Sequence, residues 1–131
     1  MQTFRHDHTH YRTTEVLEMV DYFTNIFGAE VFSEDEIDGW PFIRLRLGDI
    51  NLTVSGPPKG VEELHSTKGK ILRGVDHLAF GVDNLDQVAN DLKSKGAKFI
   101  TEPMQSGPDL KISFIEGPDG IRIAVSYTHL R

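Results

Sequence analysis

Apolar and polar positions run through this chain in two rounds of the same order. In the first, His8-Thr9-His10-Tyr11 reads as a strand and Thr13-Thr14 offers a cap. Val16, Val20, Phe23 and Phe27 then recur at helical spacing and predict an amphipathic helix over about 15–27. Glu15 in its first turn suits the positive end of the helix dipole. Gly28 predicts the stop, because glycine adopts positive φ without steric cost. Ala29 to Phe32 resumes a strand, and the acidic run Ser33-Glu34-Asp35-Glu36 reads as a solvated loop. Trp40 to Leu47 and Ile50 to Ser55 read as two further strands joined by a Gly48-Asp49 turn.

The second round repeats this. Val75 to Phe80 predicts a strand, and Asp83 and Asn84 are capping candidates. Leu85, Val88, Ala89 and Leu92 form a helical stripe, Gly96 stops it, and Ala97 to Ile100 resumes a strand. Leu110 to Glu116 and Ile121 to Tyr127 follow, joined by Gly117-Pro118-Asp119-Gly120. His8 and His77 are separated by almost the same interval as Gly28 and Gly96, so each half is predicted to be a βαβββ module. Between them, Gly56-Pro57-Pro58-Lys59-Gly60 and the polar stretch to Gly74 have the composition of a linker. The expected organisation is a single domain over 1–131: module 1 at about 4–56, a linker at 57–73, and module 2 at about 74–131. Halves this small are marginal alone and are expected to pack on each other or on a second chain.

Composition narrows the classes of function. The 131 residues carry 20 Asp and Glu against 14 Lys and Arg, a net charge of -6, with no basic stripe. Such a surface repels phosphate backbones, so no nucleic-acid partner is expected. The chain has no cysteine, which excludes disulfides, thiolate metal sites and a cysteine nucleophile. No apolar run approaches the roughly 20 residues that span a bilayer. The N-terminal residues also lack a signal-peptide core. A cytoplasmic protein with no membrane partner is the expectation.

Several landmarks now stand in order: His8 on the opening strand, Asp21-Tyr22-Phe23-Thr24-Asn25-Ile26-Phe27-Gly28, Gly74-Val75-Asp76-His77-Leu78-Ala79-Phe80, and Gly117-Pro118-Asp119-Gly120-Ile121-Arg122-Ile123. Together they resemble the vicinal oxygen chelate superfamily, the group of glyoxalase I, bleomycin-resistance proteins and extradiol dioxygenases, over nearly the whole chain. The resemblance implies an α+β fold of two tandem βαβββ modules. Their sheets would curl into a cup-shaped half-barrel, with helices outside and a ligand site within. It implies one divalent metal ion (Zn, Ni, Fe or Mn) held by a His on each opening strand and by a carboxylate, Gln or His on each closing strand. A homodimer is also implied.

Carried onto this chain, the opening positions are His8 and His77. The closing positions are Thr53 and Ala124, so the two-His, two-Glu set of glyoxalase I is broken at both carboxylates. His10 shares a strand face with His8 and is a candidate third nitrogen ligand, or else a substrate hydrogen-bonder or a plain polar strand residue. His6 reads as solvated, His65 as a surface residue of the linker, and His129 as a tail residue able to fold over the site or fray. Arg44 and Arg46 alternate with Ile43, Leu45 and Leu47, which aims the arginines away from the helices, either into the cup, where an arginine fork suits a carboxylate or phosphate, or, for Arg44 above all, onto an exposed edge. Arg46, Asn51, Thr53 and Arg122 are therefore the candidate contacts to a small anionic substrate. Trp40 and Phe42 are candidates for its walls or for core. Glu102 and Glu116 are candidate bases where they come within about 3 Å of substrate.

Two functions remain open on these residues. One is a divalent-metal-dependent enzyme of lyase, isomerase or dioxygenase type, acting on a small oxygenated anion. The other is a metal-free protein that binds or sequesters a small molecule, as bleomycin-resistance proteins do.

Overall fold

The computed structural model describes residues 2–128, and His129 lies outside them. The chain divides between His65 and Ser66 into two compact units. The fold is α+β, with one four-stranded sheet and one helix in each unit.

Unit 1 contains β1 (Thr9–Arg12), α1 (Val16–Phe27), β2 (Glu30–Ile37), β3 (Trp40–Leu47) and β4 (Ile50–Ser55), in sheet order β1-β4-β3-β2. β1 runs parallel to β4, and the other pairs are antiparallel. Unit 2 repeats the order. Its elements are β5 (Leu78–Gly81), α2 (Leu85–Ser94), β6 (Lys98–Gln105), β7 (Leu110–Glu116) and β8 (Arg122–Thr128), in sheet order β5-β8-β7-β6. The stretch from Gly56 to His77 contains no helix or strand.

The apolar stripes form the cores. α1 buries Val16, Met19, Val20, Phe23 and Ile26. They face a sheet surface of Ile43, Leu45, Leu52 and Val54, and Tyr11 of β1 stacks on Phe23 at 5.9 Å. Met19 and Ile26 complete a face that the four-residue stripe underread, and Phe27 is only half-buried. In unit 2, Leu85, Ala89 and Leu92 are the buried helix residues, with Ile115, Ile123 and Val125 buried in the sheet. Buried Ser113 satisfies its hydroxyl by donating to the Val125 carbonyl at 2.8 Å.

Local signals explain the element ends. Gly28 caps α1 in the left-handed region at φ 74, and its N–H donates to carbonyls of the last turn. Asn84 caps α2, its side chain accepting from Gln87 N–H at 3.1 Å. The Thr cap of α1 takes another form. Glu15 occupies the N-cap position without a side-chain bond, while Thr13 Oγ1 accepts from Glu15 N–H at 2.9 Å.

Two expectations need correction. The acidic run 33–36 is not a loop but part of β2, paired with β3 across a register shift between Val31 and Ser33. Its charges point into solvent along a sheet edge, where they discourage pairing with other chains. The opening strands also start later than their apolar residues suggest. His8 and His77 each lie one residue before a strand, and Val75 is exposed.

Gly120 closes the β7–β8 connection within the short 3₁₀ turn Pro118–Gly120. Its φ is +71, and a Cβ there would lie 2.6 Å from the Lys68 Cα. Gly120→Ala combines left-handed strain with a backbone clash and should destabilise by about 1–3 kcal/mol. Urea denaturation measures this, and an unchanged midpoint would contradict the turn geometry.

Candidate functional site

Because side chains alternate across a strand, each sheet has a helix-covered face and an opposite face. On sheet A the opposite face carries polar residues in rows set by the ladder register. One row is His10, Thr53, Arg44 and Ser33, and the next is Asn51, Arg46 and Glu30. His8, one residue before β1, has the same parity as His10. Arg44 and Arg46 thus point away from α1, as their alternation with Ile43, Leu45 and Leu47 predicts. Sheet B has corresponding rows: Ala79, Ala124, Phe114 and Thr101 in one, Arg122, Glu116 and Lys98 in the next.

In unit 1 the predicted residues make the following contacts. His8 has a side chain 49% exposed, and its Nδ1 lies 2.7 Å from the Asp7 carboxylate. His10 Nε2 lies 2.6 Å from Ser55 Oγ, and the ring stands edge-on to Phe42. Burial, aided by the Arg12 and His8 charges, pushes the His10 pKa below its ordinary value. Asn51 Nδ2 donates to the Asp7 carbonyl at 3.2 Å, and Arg46 Nε reaches Asn51 Oδ1 at 3.4 Å. The Arg46 guanidinium lies over Phe32 at 4.9 Å, and that of Arg44 over Phe42 at 5.2 Å. The polar contacts of Arg44, to Ser33 at 3.4 Å and Asp35 at 3.9 Å, are equally loose. Both forks therefore keep most of their donors unspent. Thr53 is buried. Trp40 packs against Gly56, where a Cβ would meet its ring at 2.3 Å.

In unit 2, His77 Nδ1 lies 2.8 Å from the Asp76 carboxylate, and the ring stands edge-on to Phe114 at 5.1 Å. Arg122 Nη1 donates to both Asp76 oxygens, at 3.1 and 3.0 Å. The His77 hydrogen bond, with help from Arg122, holds the Asp76 pKa below the usual carboxylate value. Ala124 is buried and offers no donor atom. Glu116 and Glu102 are both in ion pairs. Glu116 meets Lys98 at 2.9 Å, which lowers its pKa, and Glu102 meets Lys93. His6 and His65 are exposed, His6 bonding Thr9 and His65 lying 3.8 Å from Glu63.

The sequence reading missed the two aspartates. Asp7 precedes His8 as Asp76 precedes His77, and each accepts from Nδ1–H of its imidazole. The signal was available in the repeated Asp-His dipeptide.

This geometry bears on whether the implied metal suits the chain. A ligating imidazole ordinarily donates its second ring N–H to a carboxylate or carbonyl. His8 and His77 both do so, and neither Nε2 has a hydrogen-bond partner among the described residues, so both fit the role of ligand. Thr53 and Ala124 do not supply the two carboxylates. Among the described residues, no three His, Cys, Asp or Glu side chains gather in a group able to hold a metal ion. No helix there is long and apolar enough to cross a membrane.

Comparison with known proteins agrees with the architecture. Residues 5–125 match the family model of the Glyoxalase/Bleomycin resistance protein/Dioxygenase superfamily. A probable lactoylglutathione lyase of Synechocystis sp. is 23% identical over 123 residues, covering 92% of this chain and 93% of its own. A glyoxylase/bleomycin resistance protein/dioxygenase domain from Frankia sp. EAN1pec superposes with TM-score 0.75 at 21% identity, over 97% of this chain and 99% of its own. Glyoxalase I from Zea mays superposes with TM-score 0.74 at 23% identity, over 95% of this chain but 47% of its own. At these identities the structural likeness establishes the fold alone.

Proposed function

We propose that this chain, which belongs to the Glyoxalase/Bleomycin resistance protein/Dioxygenase superfamily, is a divalent-metal-dependent enzyme of lyase, isomerase or dioxygenase type with His8 and His77 as metal ligands. One observation carries the reading: the same carboxylate-backed imidazole is built twice, at corresponding points of two modules. A bound Zn, Ni, Fe or Mn ion would supply Lewis-acid stabilisation of charge developing on a substrate oxygen. The chain's own residues do the rest. Asp7 and Asp76 each hold Nδ1–H, which leaves the Nε2 lone pair as the donor. Thr53 and Ala124 add no carboxylate, so a bound ion would have room for substrate oxygens and water. His10 has its Nε2 engaged by Ser55, so we place it beside substrate rather than in the donor set.

The substrate is proposed to be a small oxygenated anion. Arg46, with Arg44, has an unspent fork for a carboxylate, and Asn51 and Thr53 stand beside the pair in the ladder. The glyoxalase reaction itself is not proposed, because neither closing strand carries the carboxylate that the family pattern places there. Members of this superfamily commonly bind small molecules and dimerise. We extend both properties to this chain, with the two modules and linker forming one domain. A metal-free binding protein is the second reading, favoured by the loss of both carboxylates at 53 and 124.

Thermal unfolding with added Zn, Ni, Fe(II) or Mn separates the two. A ligand that binds the folded state stabilises it by about 2.7 kcal/mol at a hundredfold excess over Kd. At least one of these ions should raise the melting temperature of the native protein. No shift with any of the four would leave the binding reading.

A further inference from the structure

We infer that Arg122 is a positioning residue for His77, acting through Asp76, rather than a contact to the anion. The inference rests on the reading of His77 as a donor and adds how that donor is held.

Arg122 opens β8 and faces away from α2, so its side chain stands beside the residues that precede β5. There it joins a closed ring of four groups. Its Nη1 donates to both oxygens of Asp76, and Asp76 accepts from His77 Nδ1–H. The His77 ring stands edge-on to Phe114, and the Arg122 guanidinium lies 5.2 Å over the same Phe114 ring. Each member contacts two others, so moving one disturbs the rest. Arg122 Nη1 holds Asp76 at 3.0 and 3.1 Å, in contrast to the hydrogen bonds of Arg44 and Arg46, both at 3.4 Å.

Unit 1 shows what the ring adds. The position of Arg122, one residue before the strand residue paired with the start of the opening strand, is held there by Asn51. Asn51 reaches the Asp7 backbone carbonyl, not its carboxylate. The position of Phe114 is held by Arg44. Among the described residues His8 is therefore anchored by Asp7 alone, and that carboxylate is 82% exposed against 45% for Asp76. Built on the same plan, the two imidazoles differ in how firmly they are fixed. His77 is pre-set, whereas His8 keeps rotational freedom that any ligand must remove.

The test uses metal-free protein labelled with ¹⁵N-histidine, at alkaline pH. Long-range ¹H–¹⁵N correlations then report the tautomer of each ring. An unconstrained imidazole favours the Nε2–H form, so the contact to Asp76 predicts an Nδ1–H pattern for His77. Asp76→Ala should lose that pattern. Arg122→Gln should move His77 toward the Asp76→Ala pattern, and Arg122→Lys should restore part of it. The His8 pattern should stay native in all three, and a native-like backbone amide spectrum of residues 78–128 reports that unit 2 of each variant folds. A native His77 tautomer in both Arg122 variants overturns the inference and returns Arg122 to the set of anion contacts. Adding Zn tests the underlying reading separately. His77 in the Nδ1–H form with an Nε2 resonance that Zn leaves unmoved would retire zinc as the ion, and the same result with Ni, Fe(II) and Mn would retire the metal reading, while the positioning role stands.

Discussion

Phe23→Ala should cost about 3–5 kcal/mol, the usual range for removing a buried aromatic ring. Phe23 is wholly buried, and its ring meets Tyr11, Tyr22 and Phe27 at 5.9, 5.6 and 6.1 Å. It is the point where α1 is fixed to the sheet and to the opening strand that carries the His8 region. The loss is large against a total stability of about 5–15 kcal/mol. The neighbours cannot close the gap cheaply, because Tyr22 already carries a buried hydroxyl with no partner among the described residues. The midpoint of urea unfolding should fall sharply with an unchanged slope. Leu17→Ala, on the exposed face of the same helix at 62% exposure, should stay within about 0.5 kcal/mol of native. Similar losses in the two variants would mean that α1 does not dock through Phe23.

Much of this architecture was legible in the chain because periodicity reports burial directly. Val16, Val20 and Phe23 predicted the buried face of α1, and the bounds of β3, β4 and β7 match their apolar runs. The acidic segment 33–36 was misread because polarity along an edge strand resembles polarity in a loop. Only the ladder with β3, a non-local feature, tells them apart. The opening strands were misread in the other direction. Val75 and Asp76 look like strand residues, but β5 begins only where β8 offers a partner, at Leu78 opposite Ile123.

The candidate site was legible to a different depth. Alternation alone turned Arg44 and Arg46 away from the helix, and the structure agrees. The side-chain partnerships were beyond periodicity. That His10 would meet Ser55, and Arg122 would meet Asp76, depends on which strands become neighbours. The Asp-His pairs are local and could have been read, since adjacent residues just ahead of a strand are free of the ladder that would turn them to opposite faces.

The second large effect concerns metal. If the Nε2 atoms of His8 and His77 are the donors, each is irreplaceable in a set that has no carboxylate at 53 or 124. Loss of a carboxylate behind a ligating histidine already lowers metal affinity about 10–100-fold, and loss of the histidine itself should do more. His8→Ala and His77→Ala should each abolish the ion-induced rise in melting temperature. His65→Ala, an exposed linker residue, should leave it intact. Both single variants should remain folded, because neither ring belongs to a buried core: their side chains are 49% and 32% exposed.

The most direct measurement is the elemental metal content of native protein, His8→Ala and His77→Ala after equilibration with Zn, Ni, Fe(II) or Mn and removal of excess ion. The expected result is stoichiometric metal in the native protein and none in either variant. Native protein free of all four metals, or variants that retain a full complement, would contradict the assignment of these two histidines as the metal ligands.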